Sequence, residues 1–92
     1  MPYIGQKKRD EIAPHIKDLL TYIMNTPKLE TGDLNYIITL VIKEFYKRKK
    51  CYDHASKVTA ATTDARDEFK RRVLNSYEDQ KIIQNGDLYN DL

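Results

Sequence analysis

The chain has 92 residues, 16 lysines and arginines against 14 aspartates and glutamates, and a formal net charge of +2. That length suits one domain, and a chain so short buries only about two thirds of its unfolded surface, so one modest core is available. The balance is too weak to imply nucleic-acid binding, no run approaches the roughly 18 apolar residues of a membrane span, and one cysteine excludes an internal disulfide.

The N-terminus carries no apolar export signal, and the lone Cys51 fits a reducing cytosol. Seven of the nine aromatics are tyrosine. A buried phenol needs a partner for its hydroxyl, so tyrosines favour boundaries and pockets over dry cores.

Residues 1–6 read as extended, and Lys7 to Ile12 as a helical turn. Pro14 then suits the first position of a helix, where its missing N–H costs nothing. Ile12, Ile16, Leu19, Leu20, Ile23 and Met24 follow helical spacing, and Thr26-Pro27 ends the element. The first principal helix is expected near 14–25. Leu29 to Gly32 is a connection, after which Thr31 or Asp33 can cap a second helix near 33–50. Its core positions are Leu34, Ile37, Ile38, Val41, Ile42 and Phe45, while Tyr36 and Leu40 fall on another face. A helix apolar nearly all round is buried on more than one side. In so short a chain the extra face is expected to meet another subunit. Ile38, Leu40 and Ile42 are candidates for it.

Lys47-Arg48-Lys49-Lys50 forms a basic helix end, favourable against the macrodipole. Asp53 can cap a third helix near 54–75, with Val58, Ala61, Ala65, Phe69 and Val73 on one face. Ala55, Ala60 and Ala61 permit close helix approach. Tyr77 to Gln84 reads as a final short helix stopped by Asn85-Gly86, both tolerant of positive φ. The expected fold is therefore all-α: one domain over 1–92, a small bundle of three main helices plus a short C-terminal helix, oligomeric.

Few residue clusters carry chemistry. Lys47 to Lys50 reads as a solvated helix end, and no glycine-rich loop, helix-turn-helix glycine or zinc spacing accompanies it. Arg71 and Arg72 point about 100° apart on a helix, so at most one readily joins a given flat surface. Arginine offers a planar fork for phosphate, yet Glu68 at i−4 from Arg72 allows an ordinary surface ion pair. Glu78 and Asp79 do not converge as a catalytic pair and suit the first turn of the short helix. Tyr77 is a phenol able to stack on a base. Pro2 would become a terminal amine on loss of Met1, as in small tautomerases, but Gly5 to Arg9 is poor strand material for that fold. His15, His54 and Cys51 give no metal or nucleophile arrangement.

The strings Met1-Pro2-Tyr3-Ile4, Gly32-Asp33-Leu34-Asn35-Tyr36, Arg71-Arg72-Val73, Tyr77-Glu78-Asp79-Gln80-Lys81-Ile82 and Asn85-Gly86-Asp87 together resemble a family of small bacteriophage proteins. The resemblance covers nearly the whole chain. It departs after Ala60, where Ala61-Thr62-Thr63-Asp64 replaces a more apolar stretch. The chain is further similar to phage anti-CBASS sponges, which sequester the cyclic nucleotides of that bacterial immune signal. The resemblance implies a non-enzymatic, cofactor-free protein of the host cytoplasm that binds a cyclic dinucleotide as a homo-oligomer, and the two apolar faces of the second helix point to a dimer of dimers. It implies no membrane or specific DNA partner. The expected ligand-binding residues are Arg71, Arg72 and Lys81 for phosphate, Tyr3 and Tyr77 for stacking, and Arg9 and Asn35 for polar contacts. The rival expectation is a phage interaction protein that holds a host protein or nucleic acid through Lys47 to Lys50.

Overall fold

A computed structural model describes residues 4–92. The fold is all-α, with no strand among the described residues. Helix α1 spans Gln6–Met24, α2 Thr31–Tyr46 and α3 Tyr52–Phe69. A π-helical segment, Lys70–Leu74, joins α3 to α4, Asn75–Asn85. The chain falls into two compact units, 1–49 with α1 and α2, and 50–92 with α3 and α4.

In the first unit, α1 takes in both the expected turn at Lys7 and the expected helix at Pro14. Pro14 is therefore inside the helix and not at its first position. It has no N–H to give the Asp10 carbonyl, so the i→i−4 ladder has a gap there. Local pairs support the turns before it: Gln6 Nε2 donates to Asp10 Oδ1 at 2.8 Å, and Lys8 faces Glu11 at 3.9 Å. The helix closes where expected, with the Asn25 N–H donating to the Thr21 carbonyl at 3.0 Å.

Helix α2 begins at Thr31 with Glu30 as its N-cap. Asp33 caps from the third helical position, its Oδ2 accepting from the Glu30 backbone N–H at 2.9 Å. That satisfies a backbone donor at the helix start and places a negative charge where the macrodipole favours one. Ile23, Leu29, Leu34 and Ile37 line a small hollow of about 280 Å³ at the corner between α1 and α2. No described residue of this unit is buried; Leu19, Thr26, Leu29, Ile37, Ile42 and Tyr46 are half-buried.

In the second unit, α3 starts at Tyr52 with Cys51 as N-cap, one position ahead of the expected cap Asp53. Asp53 instead pairs with Lys57 at 3.0 Å across one turn. Val58 is the sole buried residue among the described residues. Cys51, His54, Ala55 and Thr62 flank it on a half-buried stripe. The expected face of Val58, Ala61, Ala65, Phe69 and Val73 is covered only at Val58: Ala61 and Ala65 are exposed, as are Phe69 at 64% and Val73 at 39%. Helical spacing identifies an apolar face but does not say whether this chain alone has anything to cover it. Within Ala61 to Asp64 the Thr62 hydroxyl bonds back onto the helix. Thr62 Oγ1 donates to the Val58 and Thr59 carbonyls at 3.2 and 2.9 Å.

Helix α4 stops at Gly86, whose φ of 93° with ψ of 149° is open to glycine and strained for other residues. Its N–H donates to the Ile82 carbonyl at 2.8 Å, and Asp87 Oδ1 then accepts from the Tyr89 N–H at 2.9 Å in an Asx turn. Gly86→Ala is expected to fray the last turn of α4 at a cost on the order of 1 kcal/mol. Amide hydrogen exchange at residues 82–86 should quicken while α1 and α2 keep their rates.

Candidate functional site

The segment Lys70–Leu74 is the feature of the second unit that sequence patterning does not anticipate. Its wider turn is closed by the Asn75 N–H, which donates to the Lys70 carbonyl five residues back. Single π-turns inside α-helices are uncommon and occur often at functional sites. Here the turn coincides with the adjacent arginines. Arg71 Nη2 donates to Glu68 Oε1 at 2.6 Å, and Arg72 Nε donates to the same oxygen. Both guanidiniums therefore gather on one carboxylate. Glu68 lies between them in helical phase, three residues before Arg71 and four before Arg72, so two long side chains diverging by about 100° still reach the same oxygen.

Glu68 is 21% exposed, and Arg71 and Arg72 are 65% and 60% exposed. Sequence reading identified only the Glu68–Arg72 half of this cluster. Spacing contains the signal for the other half, because Glu68 to Arg71 is an i,i+3 pair. Such exposed pairs contribute little to stability. Glu68→Gln is expected to lower the unfolding free energy by less than about 1 kcal/mol, read from a denaturant titration.

Tyr77 lies further along and is 65% exposed. From Arg72 to Tyr77 the helix turns by on the order of 100–140°, so one chain does not present the two on a common face. Lys81 is one helical turn past Tyr77. It lines an open hollow of about 300 Å³ with Ile82, Asn85, Gly86, Asp87, Leu88 and Tyr89. Sequence reading placed Lys81 in a ligand set but missed Tyr89 and Asn85 as its neighbours. The Asn85-Gly86-Asp87 turn folds the chain end back beside the lysine.

In the first unit, Asn35 is exposed on α2 and engaged locally. Its carbonyl and Oδ1 accept from Thr39 Oγ1 at 2.7 and 3.3 Å. Arg9 is exposed in the first turn of α1, its N–H donating to the Gly5 carbonyl at 3.1 Å. Tyr3 lies outside the described residues. An open trough of about 610 Å³ runs along α1, lined by Ala13, Pro14, Ile16, Leu20, Thr21 and Met24 among others. It holds none of the expected site residues. An apolar trough on one helix surface suits helix packing better than a charged ligand.

The basic run follows α2, which closes at Tyr46 and not near residue 50 as expected, so Lys47 to Lys50 form a turn after the helix. Lys47 Nζ reaches Glu44 Oε2 at 3.2 Å, and the Arg48 guanidinium sits 4.9 Å over the Phe45 ring. Two of its four cations are thus drawn onto their own helix. Among the described residues, no His, Cys, Asp and Glu cluster could hold a metal ion, and no helix is long and apolar enough to cross a membrane.

The chain belongs to the family described as "Domain of unknown function (DUF6899)", whose model matches residues 1–88. No curated protein and no solved structure matches the chain.

Proposed function

We propose that this chain is a bacteriophage immune-evasion protein, a sponge that binds and sequesters CBASS-type cyclic dinucleotides in the host cytoplasm without cleaving them. The observation that supports this reading best is the gathering of two arginine forks on one carboxylate oxygen. A site that holds a carboxylate oxygen with two guanidiniums has the chemistry to hold a phosphate oxygen. In this reading Glu68 occupies the arginines until the ligand displaces it.

A cyclic dinucleotide presents two phosphates and two base faces about a two-fold axis. Tyrosines can stack on the bases and lysine can meet a phosphate. Arg72 and Tyr77 diverge on one helix, so a second copy supplies the missing side of the site. A two-fold ligand fits a two-fold interface at which each residue acts twice. We therefore take the working species to be a homo-oligomer, a tetramer built as a dimer of dimers, in which Tyr3, Arg9 and Asn35 contribute polar and aromatic contacts. Sequestration requires affinity and abundance and no catalytic group.

The test is calorimetry with cyclic dinucleotides, followed by recovery of the nucleotide from denatured protein. Saturable binding with intact ligand recovered is the expected result. No binding of any cyclic oligonucleotide at high micromolar concentration would end the sponge reading, and a hydrolysed product would make the protein an enzyme. Loss of binding on Lys49→Ala, with Arg71→Ala unaffected, would move the site to the basic end of α2 and favour a host protein or nucleic acid as partner.

A further inference from the structure

Four apolar side chains of α2 form an exposed stripe: Leu34 at 52%, Ile38 at 45%, Val41 at 60% and Phe45 at 48% exposure. At about 100° per residue they fall within roughly 60° of arc, so they share one face. Their spacing is that of a helix–helix seam, and none of the four is charged. The first unit has no buried residue among those described, so this stripe does not serve as the centre of a core within it.

The spacing also identifies the occupant. The gaps along the stripe are four, three and four residues, which read the same in either direction. If a second copy of α2 lies antiparallel across a two-fold axis, Leu34 of each copy meets Phe45 of the other, and Ile38 meets Val41. The four positions are satisfied together, as a self-complementary isologous contact requires. Charge agrees with this direction. The start of α2 carries Glu30 and Asp33, and its end, basic on balance even with Glu44, carries Lys43 and runs into Lys47 to Lys50. Antiparallel pairing sets the acidic end of one copy beside the basic end of the other and opposes the two helix macrodipoles favourably. Parallel pairing would set like ends together.

We infer that a second copy of this chain covers the Leu34–Ile38–Val41–Phe45 stripe, by antiparallel pairing of α2 with α2 about a two-fold axis. This surface is separate from the arginine cluster of the second unit. The pairing stands whatever ligand that cluster takes, and it completes a core that the first unit does not form by itself.

The test is cross-linking of the full chain with Cys51→Ser as background. Ile38→Cys and Val41→Cys are made as separate proteins, oxidised alone and then as a mixture. Antiparallel pairing sets position 38 against position 41, so the mixture is expected to give a covalent dimer while each protein alone gives little. Ready cross-linking of Ile38→Cys alone would show parallel pairing and overturn the inference. So would a mixture that does not cross-link, or light scattering that shows a monomer at micromolar concentration. Val41→Glu should weaken association by about a hundredfold or more, because the charge would lie in the seam. The cysteine changes are milder, so they decide the matter even if the glutamate variant fails to fold.

Discussion

Arg72→Ala is expected to weaken cyclic-dinucleotide binding by about ten- to a hundredfold, as is Arg71→Ala. A charge-assisted hydrogen bond to an anion contributes roughly 1.5–3 kcal/mol, and each 1.4 kcal/mol is about tenfold in affinity. Both arginines donate to Glu68, so both should matter, and the double change should cost less than the sum of the singles. Glu68→Gln separates ligand binding from fold support. It removes the competing charge, so affinity for the dianionic ligand should rise while stability barely changes. Calorimetry beside a denaturant titration reads both quantities. Unchanged affinity across Arg71→Ala and Arg72→Ala would show that the cluster is an ordinary surface ion pair.

Pro14→Ala is expected to make the protein markedly more stable. Proline inside a helix costs about 3 kcal/mol relative to alanine, through the lost hydrogen bond and the ring's clash with the preceding turn. Replacing it also frees the unfolded chain, which offsets that gain by about 1 kcal/mol. A net gain of about 2 kcal/mol corresponds to a rise of about 10 °C in Tm for a chain of this size. Scanning calorimetry at one fixed protein concentration is required, because self-association makes Tm depend on concentration. A Tm that falls would mean that the proline ring, which lines the trough along α1, makes a contact more valuable than the missing bond.

The chain-end signals were largely legible in the residues. Thr26-Pro27 stops α1 and Asn85-Gly86 stops α4, while the N-cap of α2 is Glu30, ahead of the expected Thr31 or Asp33, with Asp33 answering it from the third helical position. These are local chemistry, decided by which backbone groups a neighbour can satisfy and by which residue tolerates a positive φ. The boundary at Pro14 was not legible. Proline at the first helical position and proline inside a helix look alike in sequence, and only the turns built by Gln6 to Ala13 distinguish them.

The candidate site divides in the same way. Residue types alone identify Arg71, Arg72, Tyr77 and Lys81 as able to hold an anion and a base, because guanidinium, phenol and ammonium keep that chemistry in any fold. Their convergence depends on helix phase. Both arginines flank Glu68 in helical phase, three and four residues after it, but that both settle on the same carboxylate oxygen is seen only in the structure.

Periodicity by itself determined that the chain is helical and that α2 is apolar on more than one side, since both follow from side-chain spacing along one element. Only the tertiary structure decided which of those apolar residues are covered. Ile37 and Ile42 are half-buried, while Leu34, Ile38, Val41 and Phe45 remain exposed. Burial is a property of what packs against a face, and an amphipathic pattern states only that the face favours leaving water.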